Sequence, residues 1–464
     1  MKKLYFNLLS ILIISACNET IALTEKKSEF PTKAYKLNEN GSVHSTSIDI
    51  EDFESSENCK SCHEDHYKEW SESMHAYAMK DPVFFSGWNG EQQKRHETGE
   101  RFCIQCHNPV AFVSGVDLSG FLTAEDLEAS DHPQSIKEGI GCAVCHSMTE
   151  LSPSIHTEDI IAANAKYFMN PGEGVYYGSI ENPVENDYHA SEYNPAFPRS
   201  EACLPCHDIT IRGVEAEITF TEWNRIPGLA MGNLLSCQEC HMPVTTRPAA
   251  KDGPERVVHR HTFVGVDLDL TRPAEENPQI DEVKSLLENA VELNFGWPND
   301  SFTASVQQGD SLYIPITITS LTAHSLPSGV SFAREAWIEL TVRDTDESLL
   351  FQSGLVATDT SALDLLDSNL VLFTSTLFDE NGEETGSVTD VHSMENNSLL
   401  AFSKQFRQYL FPLPIDYSGE LSVHARMLFR SFKPASLSSH PDLLKNLPII
   451  EMESISETIS VTPL

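Results

Sequence analysis

Cys59-Lys60-Ser61-Cys62-His63 is a five-residue pattern that returns four more times, and it decides how the whole chain is read. The other copies are Cys103-Ile104-Gln105-Cys106-His107, Cys142-Ala143-Val144-Cys145-His146, Cys203-Leu204-Pro205-Cys206-His207 and Cys237-Gln238-Glu239-Cys240-His241. Two sulfurs three positions apart on one turn of chain can each form a thioether with a vinyl group of haem, and the histidine that follows then sits beneath the iron. Ten of the eleven cysteines fall into these copies. The spacing therefore predicts five haems c, held by Cys59, Cys62, Cys103, Cys106, Cys142, Cys145, Cys203, Cys206, Cys237 and Cys240. His63, His107, His146, His207 and His241 are the expected proximal iron ligands. A structural zinc site wants four protein ligands, which two cysteines and an adjacent histidine do not supply. Redox-active Cys-x-x-Cys pairs are single and lack the following histidine.

The motif starts lie 44, 39, 61 and 34 residues apart, so 203 residues from Cys59 to His261 serve five porphyrins. With so little polypeptide per porphyrin, the macrocycles themselves must fill the core, and long loops such as 165–198 become tolerable. Thirteen histidines lie outside the motifs. Those close to a motif in sequence can reach its iron or that of a stacked neighbour. His75, His189 and His261 are the first choices for second axial ligands, followed by His132, His156 and His324. His66 and His96 rank behind them, and the thioethers of Met74 and Met242 are not needed.

Outside this region the chain changes character. Lys2 and Lys3 precede an apolar run, Leu8 to Ile14, which is too short to span a bilayer and reads as a signal peptide. It ends in Ile14-Ser15-Ala16-Cys17, like a bacterial lipobox in which the cysteine is acylated, so residues 1–17 are read as a lipoprotein-type signal with Cys17 as lipid anchor. An ordinary secretory signal whose cleavage site lies beside a cysteine is the alternative. Residues 18–58 are polar and read as a flexible tether. Residues 59–265 form the haem domain, and 266–300 a linker around an amphipathic helix, Ile280 to Leu293. From 301 to 464, runs such as Leu312–Thr319, Trp337–Val342, Leu370–Phe378 and Leu421–Phe429 are rich in Ile, Thr, Val and Phe and are separated by turn residues. The fold class expected is thus a multihaem cytochrome c domain, mainly helical and looped with a haem-filled core, followed by an all-β sandwich-like domain.

The residues also resemble a family, the tetrahaem cytochromes that accept electrons from hydroxylamine oxidoreductase. Cys59 to Phe84, with Tyr67, Trp70, Ser73, His75-Ala76 and Asp81-Pro82-Val83-Phe84, resembles its opening segment. Tyr177-Gly178, His189, Cys203 to Asp208, Thr221-Glu222-Trp223 and Cys237 to Pro243 resemble later portions. The resemblance implies haems stacked in pairs, most irons with two histidines, and at least one iron without a strong sixth ligand. It implies His75, His189 and His261 as distal ligands. Five motifs rather than four, and the appended β domain, depart from that pattern. Within the β domain, His324-Ser325-Leu326-Pro327-Ser328-Gly329 and Arg334-Glu335-Ala336-Trp337 look like the C-terminal domain of larger multihaem cytochromes, where the histidine faces the haems.

The formal charge of −38, from 69 acidic and 31 basic side chains, argues against nucleic acid or anionic lipid as partners. Redox proteins fit better, among them basic cytochromes or a quinone-linked complex, with the membrane reached through the N-terminal lipid on the periplasmic or outer-membrane side. Three functions follow from these residues: an electron carrier, a haem oxidoreductase acting on a small nitrogen or sulfur compound at one open iron, and an assembly module of a longer electron-transfer complex.

Overall fold

The computed structural model describes residues 34–37, 43–46, 48–94, 101–149, 167–229, 235–297, 302, 304–357 and 362–464. Cys17, His96 and His156 lie outside the described residues. Thr32–Leu464 forms one compact unit by backbone contacts. Within the stretch read as a tether, Ile48 and Phe53 are buried against Met79, Trp88 and Tyr167, so the chain is already packed before the first cysteine.

Short helices carry the motifs. Ser56–Cys59 leads into the first, while Arg101–His107, Cys142–His146 and Cys237–His241 contain the second, third and fifth. The last is started by a capping box in which Ser236 and Glu239 exchange side-chain and backbone hydrogen bonds, satisfying orphan N–H groups at the helix start. Among the described residues no helix is long and apolar enough to cross a membrane.

The amphipathic segment after the last motif is shorter than its periodicity implies. The helix runs Ile280–Glu288, and Val291–Phe295 is a strand pairing antiparallel with Ser311–Ser320. Ala290 and Val291 are buried because they enter a sheet rather than continue a helix face. That sheet has the order 291–295, 311–320, 404–412. A second sheet runs 305–307, 450–462, 420–430, 335–343, 349–353, with 371–373 also pairing with 335–343. Ile314, Ile316 and Ile318 from the first sheet and Ile338, Leu340, Val342, Val423 and Met427 from the second share one core. Each such side chain, withdrawn from water, contributes about 1.5–3 kcal/mol. The C-terminal half is therefore strand-rich and built in facing sheets. The run read as Leu370–Phe378 is broken into two strands, Val371–Phe373 and Ser375–Phe378, which join different sheets.

On the outer side of the central strand, Arg430 and Glu335 form a buried ion pair, with Nε 2.6 Å from Oε2 and the guanidinium over the Trp337 ring at 5.1 Å. Removing one partner leaves a buried charge uncompensated. Glu335→Ala is expected to lower unfolding stability by about 3–5 kcal/mol, read from the denaturant midpoint. Nearer the haem-motif half, Asp269 accepts from Tyr77 at 2.8 Å, Thr271 at 2.6 Å and Arg272 at 2.8 Å. Burial alone would raise its carboxyl, but the hydrogen bonds from Thr271 and Tyr77, with Arg272 alongside, hold it below the usual carboxylate range. An acid depressed by folding adds stability above its unfolded range and loses it as pH falls through the folded value. Stability should thus fall on acidification through the carboxylate range, and less steeply in Asp269→Asn, as denaturant midpoints taken against pH would show.

Candidate functional site

A cavity of about 2150 Å³ runs through the haem-motif half and reaches the strand-rich half. All ten motif cysteines and all five motif histidines line it. None of the ten thiols is in a disulfide.

The motifs touch one another. Motif one lies beside motif three, motif two beside motif four, where Cys106 Sγ is 4.0 Å from the Pro205 carbonyl, and motif four beside motif five. Two of these pairs are built alike. Ser56 Oγ accepts the N–H of Cys142, and Ser200 Oγ accepts the N–H of Cys237, each serine lying three residues before the partner cysteine. Trp70 Nε1 donates to the Ile140 carbonyl at 2.8 Å, and Trp223 Nε1 to that of Leu235 at 2.9 Å, each carbonyl lying two residues before the cysteine. Motifs one and three, and motifs four and five, thus form two copies of one local architecture. Glu138, accepting from Ser56 N at 2.9 Å and Ser56 Oγ at 2.8 Å, locks the first copy further. Tyr167 joins motifs two and four by donating to the Gln105 carbonyl at 2.6 Å with its hydroxyl 3.1 Å from Cys206 Sγ.

Four motif histidines turn Nδ1 to a main-chain carbonyl, which fixes the tautomer and leaves Nε2 for a ligand on the other side. The acceptors are Ala249 for His63 at 2.8 Å, Ala78 for His107 at 3.3 Å, Tyr177 for His146 at 2.6 Å and Val264 for His241 at 2.5 Å. His207 Nδ1 faces Glu217 Oε1 at 3.7 Å instead. Burial alone would push His207 down, but Glu217 carries it up to about 9.

Opposite four of them stands a second imidazole. The ring centres are 6.3 Å apart for His63 and His189, 6.1 Å for His146 and His261, 6.4 Å for His207 and His75, and 6.3 Å for His241 and His324. Two imidazoles bonded end-on to one metal from opposite sides, at about 2 Å per bond, put their centres roughly 6 Å apart. Each pair can therefore hold one iron. Among the described residues no three or more His, Cys, Asp or Glu side chains converge as they would on a bare metal ion. Burial pushes both His75 and His261 down to about 3, which keeps them neutral and able to ligate. His107 pairs differently: the Phe84 ring stacks on it at 4.1 Å and 17°.

The structure brings together His75, His189, His261 and His324 but not His132. The His132 ring packs edge-on against Phe121 at 5.5 Å and does not line the cavity. Its short distance in sequence from the third motif misleads because the helix Gln134–Lys137 intervenes and turns the chain away. His66 lines the cavity edge-on to His261 at 4.6 Å, and its ring centre also stands 6.3 Å from that of His63, tilted by 58° where His189 is tilted by 28°. His261 is positioned by Glu69, which accepts its N–H at 2.9 Å and two hydrogen bonds of 2.7 Å from Arg247. His324 comes from the strand-rich half on a loop that Glu222 anchors, accepting from Ser325 N at 3.0 Å and Ser328 Oγ at 2.6 Å. The sequence reading missed Glu217 and also His440, which lines the cavity with its Nε2 buried and without a hydrogen-bond partner.

Known proteins resemble the chain in part of its sequence and in its fold. Residues 58–147 match a sequence family described as cytochrome c554 and c-prime. In three dimensions the chain is similar to a penta-haem cytochrome c552 from Thermochromatium tepidum, with 20% identity and a TM-score of 0.61, covering 89% of this chain and 100% of that one. A CARDB domain from Pyrococcus furiosus overlaps 37% of this chain and 86% of its own at 7% identity and a TM-score of 0.17. No curated protein matches the chain in sequence. The fold is that of a multihaem c-type cytochrome.

Proposed function

We propose that this chain is an exported cytochrome that carries single electrons between redox proteins through five covalently bound haems c. Haem c, when bound, supplies an iron that takes up and gives back one electron. The observation that carries the reading is the set of four opposed imidazole pairs at 6.1–6.4 Å, in one cavity that all five cysteine motifs line. In this reading His189, His75, His261 and His324 are sixth ligands, opposite His63, His207, His146 and His241. Paired imidazoles would hold each of these irons from both sides, so nothing else need bind there. The carbonyl acceptors on Nδ1 hold the rings in place during electron uptake and so keep the reorganisation small. The adjacency of the motifs, one to three, two to four and four to five, would set neighbouring porphyrins close enough for transfer.

Export through the N-terminal signal, anchoring at Cys17 and a basic redox partner complete the proposal. The net charge of −38 favours such a partner by attraction during encounter.

A second reading is favoured by one position. Phe84 covers the flank of His107, stacked at 4.1 Å, and among the described residues no second imidazole stands opposite His107, so the second-motif iron would keep an open face for a small nitrogen or sulfur compound. The electronic spectrum of the oxidised protein separates the two. The carrier reading expects low-spin haem at four sites and no spectral change with nitrite, sulfite or hydroxylamine. Turnover of such a compound, with a shift at one high-spin site, would replace the carrier by an oxidoreductase.

A further inference from the structure

Four of the five motif histidines rest on a neutral carbonyl, while His207 faces the carboxylate of Glu217. The chain immediately after the fourth motif builds this contact. Ile209–Ile211 and Val214–Glu217 form an antiparallel hairpin closed by Arg212 at φ 50° and Gly213 at φ 78°. Left-handed backbone at both turn residues is the arrangement that matches strand twist in two-residue hairpins. Its register sets Glu217 opposite Ile209, two residues from His207, with the Glu217 side chain only 16% exposed. The fourth motif is also the junction of the array, since Cys106 Sγ of motif two lies 4.0 Å from the Pro205 carbonyl and Ser200 Oγ, three residues before Cys203, accepts the N–H of Cys237 in motif five.

We propose that Glu217 strengthens His207 as an iron ligand and makes the fourth-motif haem the lowest in potential of the five. The inference rests on the five-haem reading above. A carboxylate facing the free N–H of a ligating imidazole raises its basicity. A more basic ligand and a nearby negative charge both favour the ferric over the ferrous state. A carbonyl dipole does the same far more weakly, which separates this haem from the other four. The step concerned is one-electron reduction of that iron by a redox protein, and its reversal. An electron would rest on the outer haems and cross the junction only in passing.

Glu217 acts through His207 and is a positioning residue, so the test reads a potential. The full-length mature holoprotein is titrated by spectroelectrochemistry as native chain, Glu217→Gln, Glu217→Asp and Glu215→Gln. Glu215 lies on the same strand and pairs with Arg225, so its variant removes the same charge without facing His207. The proposal expects Glu217→Gln to make the lowest of the five reduction steps at least tenfold easier, a rise of 59 mV or more. Glu217→Asp should restore most of the native value, and Glu215→Gln should leave that step in place. An unmoved lowest step in Glu217→Gln, or an equal shift in Glu215→Gln, overturns it. A second readout leaves Glu217 untouched: His75→Met exchanges the opposite ligand for a thioether, which raises that haem's potential. It must move the lowest step and no other; movement of a higher step overturns the proposal. Haem count on the same samples separates the failures. Fewer than five haems in the native chain sinks the five-haem reading, whereas five haems with an unmoved lowest step sinks the role of Glu217 alone.

Discussion

Cys203→Ala combined with Cys206→Ala is expected to abolish recovery of folded protein, whereas the same change at Cys237 and Cys240 is expected to leave a soluble cytochrome with four haems. The fourth motif sits between motifs two and five, with the Pro205 carbonyl 4.0 Å from Cys106 Sγ and Ser200 Oγ accepting the N–H of Cys237, and Tyr167 is hydrogen-bonded between it and motif two. A porphyrin lost there opens a void among the other motifs. A cavity term of about 24 cal/mol per Å³, applied to a few hundred Å³, amounts to on the order of 5–10 kcal/mol, which is the stability of an ordinary domain. The fifth motif lies at the rim, with Cys240 exposed, so solvent and the neighbouring loop can close over its loss. Yield of soluble protein and haem per chain, measured for both double variants, would show the contrast. Recovery of both as soluble four-haem proteins would mean that the macrocycles do not form the core.

His324→Ala is expected to convert one haem in five from low to high spin while leaving the other four unchanged. His324 stands 6.3 Å from His241 at an interplanar angle of 19°, within the 6.1–6.4 Å separation of the other three pairs, whose angles run from 14° to 44°. Its loop is held independently by Glu222 and by mutual backbone hydrogen bonds between Leu326 and Leu399 at 2.8 Å, so loss of the imidazole need not release the loop. The strand-rich half would then complete a metal site in the haem-motif half. A new high-spin band in the electronic spectrum, restored to low spin by added imidazole, is the expected signature. No spectral change in His324→Ala would place the sixth ligand of that haem elsewhere.

The gathering of the ten motif cysteines and five motif histidines around one cavity was legible because each motif is five contiguous residues, which no tertiary context can rearrange. The strand content after residue 301 was legible for the same kind of reason, since period and composition are local. Opposed imidazoles are long-range facts. His75 and His189 could be chosen by nearness to motifs and by family resemblance, yet the same nearness argument also put forward His132, which packs against Phe121 instead. His324 could be noticed, but its partner His241 follows only from how two halves of the chain dock. The placing of Glu217 against His207 was invisible because it depends on the register of a hairpin whose only sequence sign is the turn at Arg212-Gly213. The helix read as Ile280 to Leu293 ends at Glu288 because Val291 finds strand partners that periodicity cannot see.

Intact mass spectrometry of the mature protein, made in a host that matures c-type cytochromes and unfolded before injection, tests the central claim most directly. Covalent attachment predicts a mass raised by five haems that survives denaturation, with no free thiol among the ten motif cysteines. A polypeptide of apo mass, or one that carries zinc or releases its colour on unfolding, would contradict it.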